Sequence, residues 1–188
     1  TYMWASRAVS LQFNAYFLGY VALLSLSVFT LAGGLLDSDA EVLRRQIRDG
    51  RSPRVYAAVL ALIAVGLAAL WLSDVVPATL AGTTPAIVAE FGQGGLGTVV
   101  IDLGLVVPSL AVAAGWLWRD RAPGYVVAGV LLVFGALLAP SLAAITAVDV
   151  QTGVAVPPGL VAGTVVPPLV AAAFAVRYLL AIRSGADD

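Results

Sequence analysis

Hydrophobic residues in this chain run in long, nearly unbroken blocks, separated by short stretches where arginines, acids, glycines and prolines collect. Five blocks are long enough to cross the apolar core of a bilayer, roughly 30 Å thick, which takes about 20 residues of α-helix. They are FNAYFLGYVALLSLSVFTLAGGLL (13–36), VYAAVLALIAVGLAALWL (55–72), TVVIDLGLVVPSLAVAAGWLW (98–118), YVVAGVLLVFGALLAPSLAAITA (125–147) and LVAGTVVPPLVAAAFAVRYLLAI (160–182). None alternates apolar with polar residues as a barrel strand would, and all are too long and too rich in Leu and Ala for that fold. The pattern predicts an all-α, polytopic transmembrane helical bundle of about five membrane helices, forming a single domain over 1–188. The chain begins at Thr1, and TYMWASRAVSLQFN has neither the basic start nor the cleavage pattern of a signal peptide. This predicts that further helices precede it in a longer protein.

Between the first two blocks lies DSDAEVLRRQIRDG. Ser38 and Glu41 stand at capping-box spacing, Leu43 and Ile47 share one helical face, and Gly50 can end the helix. A short amphipathic helix over 38–49 is expected on the membrane surface, with Glu41–Arg45 and Arg45–Asp49 paired at i,i+4. Arg44, Arg45 and Arg48 are its candidates for contact with lipid phosphates. Between the second and third blocks, 73–97 reads as a lid over the neighbouring helix ends. In it VVPATLAG would lie at the interface, and Thr84 would cap a short helix starting at Pro85.

Arginine sets the expected orientation. Arg44, Arg45, Arg48, Arg51, Arg54, Arg119, Arg121, Arg177 and Arg183 fall on one side if the blocks alternate, and Arg7 falls on the other. The positive-inside rule then puts the 37–54 loop, the 119–124 turn and the C-terminus in the cytoplasm, and the lid outside. Trp4, Trp71, Trp116 and Trp118 lie near the interfaces, where an aromatic belt is expected. Arg177 is close enough to the inner face to snorkel.

Composition narrows the chemistry. Of 188 residues, 61% are hydrophobic and 11% charged, which leaves too little polar surface to face water all round. The net charge of −1 offers nothing to a nucleic acid. There is no Cys and no His, and all ten basic residues are arginine. These absences exclude disulfides, His- or Cys-ligated haem, Fe–S clusters, His-based zinc sites, and retinal or pyridoxal linked to lysine. No cofactor, metal site or catalytic residue is predicted. The expected partners are the lipid bilayer and, beyond it, other membrane subunits or further copies of the chain.

The acids carry what functional signal there is. Asp102 lies about one turn into the third block, and an ionisable residue inside a membrane helix is a functional candidate because its burial is costly without a partner. Asp74 marks the end of the second block, Glu90 lies in the lid, and Arg7 is the basic residue expected on their side. These four are the candidate binding residues. Structural alternatives accompany each. Asp102 can bond to Ser73, Thr98 or a helix N-terminus, or pair with Arg7, and Asp74 can stay hydrated or help cap the next short helix. Pro108, Pro140 and Pro167–Pro168 interrupt their helices, while Gly159-x-x-x-Gly163 permits close helix contact. The formal G-x-G-x-x-G at 92–97 lacks the strand and βαβ unit of a dinucleotide site. RDGRSP echoes RDRAP, and VPATLAGTTPAIVA echoes VPPGLVAGTVVPPLVA, as a parallel internal repeat would.

YFLGYVALLSLSVFTL, LWLSDVVPATLAGTTPAIVAE, VVIDLG and WRDRAPGYVVAGVLLVFGALL together resemble successive landmarks of an uncharacterised family of prokaryotic multi-pass membrane proteins. The resemblance covers nearly the whole chain and implies a prokaryotic plasma-membrane bundle with further helices upstream. Many members carry an Asn-Pro and a His ahead of the third-helix aspartate. This chain reads LGTVVID there, so a role that needs the His does not carry over. The family implies no activity. Three readings follow from the residues. The first is a small-molecule or ion binding, transport-associated protein with an outer-facing polar pocket near Asp74 and Asp102. The others are an accessory subunit of a larger membrane complex, and a membrane enzyme using Asp102 and Asp74 as an acid/base pair.

Overall fold

A computed structural model describes residues 17–48, 52–91, 95–151 and 158–184. Among them the chain is helical almost throughout and has no strand. The elements are α1 (Phe17–Asp37), α2 (Ala40–Arg48), α3 (Pro53–Ala81), α4 (Ala86–Phe91), α5 (Gly95–Ile101), a π-helical turn (Asp102–Val106), α6 (Val107–Trp118), α7 (Ala122–Gln151) and α8 (Pro158–Ser184). Four stretches are long and apolar enough to cross a membrane: Pro53–Ala81, Leu96–Trp118, Ala122–Ala144 and Val165–Ile182. There are up to five if Val21–Asp37 and Ala40–Ile47 count as one broken span. Large apolar side chains point outward along them, such as Leu62 at 71% and Val65 at 66% exposure. Water would penalise such a surface, whereas lipid tails are as apolar as the side chains themselves.

The helices overrun the expected boundaries. α3 continues past residue 72 through Pro77 to Ala81, so VVPATLA is the end of a 29-residue helix and not a separate interfacial segment. Pro77 deprives one carbonyl of its N–H, but the turns on either side still hold. What stops α3 is Gly82, at φ 63°. The Gly82 N–H donates to the Thr79 carbonyl and the Thr83 N–H to the Ala78 carbonyl, the paired bonds of a glycine-terminated helix end. The echo between 76–89 and 156–171 does not extend to structure. Gly82 takes the first stretch out of helix, while Gly163 and its neighbours stay inside α8.

The chain divides into two compact units. One holds 1–38 and 64–109, the other 39–63 and 110–188. In the second unit the buried positions recur at three- and four-residue spacing: Leu110, Ala113, Ala114 and Leu117 on α6, Tyr125, Ala128 and Leu132 on α7, and Ala171, Ala175 and Tyr178 on α8. These are the inward stripes of packed helices. Small residues set how closely α7 and α8 approach. A Cβ added at Gly135 would meet the Ala171 Cβ at 2.7 Å, and one at Gly129 would meet the Tyr178 ring at 3.0 Å. The expected small-residue contact at Gly159 and Gly163 lies where side-chain surroundings fall outside the described residues. Gly129 and Gly135 do that work on the facing helix.

α2 packs against α7 and α8 and buries Ile47 completely. Its cap is not the expected Ser38. Asp39 Oδ1 accepts the N–H groups of Glu41 at 3.0 Å and Val42 at 3.1 Å. Ser38 Oγ instead donates back to the Gly34 carbonyl at 2.6 Å. The carboxylate wins because a charged acceptor interacts more strongly with the helix N-terminus than a hydroxyl does. Asp49 and Gly50, the expected pair partner and helix stop, lie outside the described residues.

Candidate functional site

Asp102 is the buried acid among the described residues, at 7% exposure. It opens the π-helical turn Asp102–Val106, where the Val107 N–H bonds to the Asp102 carbonyl. π-turns widen a helix by one residue and are frequent at functional sites. Pro108 follows after Val107, and having no N–H it cannot bond to the Gly104 carbonyl as an α-helix requires. Widening the helix just before a proline re-registers the bonds that the proline would otherwise break. The Asp102 side chain meets the indole of Trp71, whose Nε1–H donates to Oδ2 at 2.8 Å. Trp71, expected at the interface as a belt residue, therefore also acts as a hydrogen-bond donor to the buried carboxylate. A bond to a charged acceptor contributes about 1.5–3 kcal/mol. Ser73, one of the expected partners of Asp102, donates to its own helix at the Leu70 carbonyl, 2.8 Å away.

Asp74 has a different task. Its Oδ1 accepts the Ala86 N–H at 2.9 Å and its Oδ2 the Ile87 N–H at 3.1 Å. Both oxygens thus cap α4 across a gap of twelve residues, a role usually filled by the residue preceding the helix. The Pro85 carbonyl accepts the N–H groups of Val88 and Ala89, so the turn begins at Pro85 as expected, but Asp74 and not Thr84 supplies the cap. The start of α4 is thereby pinned to α3. Glu90 lies within α4, with its side chain outside the described residues, as is the whole of Arg7. Gly92, Gln93 and Gly94 are likewise outside them.

The second unit holds a polar network that sequence reading did not assemble. Arg44 donates to Asp120 through Nε at 3.2 Å to Oδ1 and Nη2 at 3.1 Å to Oδ2, a fork-to-fork pair. Its Nη1 reaches both oxygens of Glu41, at 3.0 and 3.2 Å. Glu41 thus pairs at i+3 with Arg44, where pairing with Arg45 was expected. The two carboxylates raise the Arg44 pKa above the ordinary arginine value, with the Asp120 hydrogen bond the larger cause. Arg44 is 27% exposed at its side chain and engaged by acids, while Arg45 is exposed. The side chain of Arg48 lies outside the described residues.

Asp120 accepts a third bond, from the Tyr125 hydroxyl at 2.7 Å. Tyr178 in turn donates its hydroxyl to the Tyr125 carbonyl, and its ring meets Tyr56 edge-on at 5.3 Å. Tyr56 also sits edge-on to Phe174 at 5.7 Å. Its buried hydroxyl has no hydrogen-bond partner among the described residues.

Asp120 holds this position in a left-handed backbone conformation, at φ 53°. It ends α6 as Gly82 ends α3. The Asp120 N–H donates to Leu117 and the Arg121 N–H to Trp116. Glycine is the default residue at such a position, and Asp tolerates it better than most. The sequence signal was an Asp where a helix stop calls for Gly, together with an Arg in the amphipathic helix. Nothing local says that the two meet, 76 residues apart.

No cluster of three or more metal-ligating side chains occurs among the described residues. No protein-family model matches this chain, and no curated protein or solved structure is significantly similar to it.

Proposed function

We propose that the protein is a small-molecule or ion binding, transport-associated membrane protein, with Asp102 as the ligand-contacting group. One observation carries this reading. A carboxylate buried within a membrane-spanning helix stands at a π-helical turn, held by an indole N–H. Burial of an acid at membrane depth is costly unless its charge or its proton is used, and a widened turn beside a proline supplies local adaptability. The pocket is assigned to Asp102 and Trp71, with the α4 segment as its lid. Asp74 holds the lid and does not contact ligand. An acid/base enzyme is less well supported, because both Asp74 oxygens are engaged by backbone N–H groups. The arginine bias and the resemblance to prokaryotic multi-pass proteins support a plasma-membrane location with the lid outside and the C-terminus in the cytoplasm.

The test compares wild type with Asp102→Asn after purification and reconstitution. Thermal stabilisation and flux are measured across a panel of inorganic cations, organic cations and protons. The expected result is a ligand that stabilises wild type and loses that effect in Asp102→Asn, with the unliganded variant melting near the wild-type temperature. If no ligand distinguishes the two and the variant simply unfolds earlier, Asp102 is structural. The accessory-subunit reading then takes precedence.

A further inference from the structure

We propose that Arg45, Arg54, Arg119 and Arg121 form a docking surface for anionic lipid headgroups, with the Arg44–Asp120 pair as its rigid frame. All four arginines are exposed, and all belong to the second unit. The contacts of Asp120 bring α2 to the turn that carries Arg119 and Arg121. Arg119 and Arg121 flank Asp120 on the turn after α6. Arg44 reaches across to that carboxylate, which sets α2 beside the turn, and Arg45 is the next, exposed residue of α2. Arg54 lies two residues before Tyr56, which packs on Tyr178, whose hydroxyl is bonded to Tyr125, the second partner of Asp120. The charge balance favours an anion. Arg44 takes up both Glu41 and Asp120, and Asp39 is turned to the α2 N-terminus.

The frame is costly to keep. A left-handed Asp at 120 is strained where Gly is relaxed, and its carboxylate is what fixes α2 beside the turn. Guanidinium groups match phosphate oxygens with paired N–H donors. The surface borders the ends of membrane-spanning helices, where headgroup phosphates lie. A lipid headgroup is therefore the source of the phosphate. This inference is independent of the Asp102 site.

The experiment places the whole chain in nanodiscs of phosphatidylcholine, with or without phosphatidylglycerol, and follows thermal unfolding. Phosphatidylglycerol is expected to raise the wild-type Tm. In Arg119→Gln/Arg121→Gln most of that rise should be lost, with Tm in phosphatidylcholine alone unchanged. Headgroup binding should weaken about five-fold per arginine removed. An undiminished rise in the double variant overturns the proposal. So does an equal rise produced by inorganic phosphate in phosphatidylcholine discs, which would make the ligand a soluble phosphate. Should the double variant fail to fold, a sodium chloride titration of wild type decides. A rise that shrinks with salt supports the surface, and one indifferent to salt overturns it.

Discussion

Trp71 donates its indole N–H to the Asp102 carboxylate at 2.8 Å, so an aromatic residue expected at the membrane interface is a direct partner of the buried acid. The bond joins the C-terminal part of α3 to the π-turn of the next long helix. It makes Trp71 the positioning residue for the candidate ligand group. Trp71→Phe keeps most of the apolar area and removes the donor. The expected loss is about 1–3 kcal/mol of stability, together with a change in ligand affinity that Asp102→Asn also produces. A double-mutant cycle on thermal stability checks this. Additive single effects would mean that the two side chains are not coupled.

Asp74 fastens the start of α4 to α3. Replacing it with Ala leaves the Ala86 and Ile87 N–H groups without their acceptors. The expected cost is about 1 kcal/mol, in the range of other lost caps. Amide hydrogen exchange should accelerate at Ala86 and Ile87 and stay unchanged in α7. Equal exchange in the variant would show that Asp74 does not hold α4.

At the start of α2, the Asp39 cap makes a sharp contrast with Ser38. Asp39→Ala should destabilise α2 by about 1 kcal/mol, whereas Ser38→Ala should be close to neutral. The readout is hydrogen exchange at Glu41 and Val42. The opposite order would restore Ser38 as the cap.

Asp120 sets backbone relaxation against side-chain bonding. Asp120→Gly relieves the left-handed conformation yet removes the acceptor of Arg44 and Tyr125, so a net loss of Tm is expected despite the better turn residue. A gain would mean that the network contributes less than the strain. Arg44→Lys should also lower Tm, because an ammonium cannot reproduce the fork. Arg44 has a raised pKa in the folded state, so its contribution is fully present below the ordinary arginine value and is lost only above it. The stability difference between wild type and Arg44→Gln should therefore stay level from about pH 7 to about pH 10.

Close packing of α7 on α8 predicts that Gly135→Ala is destabilising by about 1–3 kcal/mol, since the new methyl overlaps Ala171. Gly104→Ala, where an added Cβ meets nothing within 4 Å, is the control and should leave Tm nearly unchanged. Equal Tm values for the two variants would mean that the helices have room to separate at Gly135.

Much of the architecture was legible along the chain. Hydropathy is a sum over local residues, so the long apolar blocks between 55 and 182 mark helices wherever those residues end up, and the described helices cover them. The amphipathic spacing of Leu43 and Ile47 likewise placed α2, and the fold buries Ile47 on that face. Helix ends were less legible, because they turn on competition between neighbours. Asp39 outcompetes Ser38 as a cap, and Gly82 stops a helix that Pro77 does not.

Tertiary structure alone decided the pairings. Asp102 stood out as a buried acid from its position, but its bond to Trp71 needs two helices brought side by side. Asp74 caps a helix twelve residues on, and Arg44 meets an aspartate 76 residues away. A hydrogen bond depends on distance and direction in space, and no property summed along a chain contains either. The sequence by itself therefore determined a helical chain suited to a membrane and the acids worth watching. The fold decided that Asp74 is a fastener, that Asp120 is the hub of a network, and that Asp102 is the acid to test.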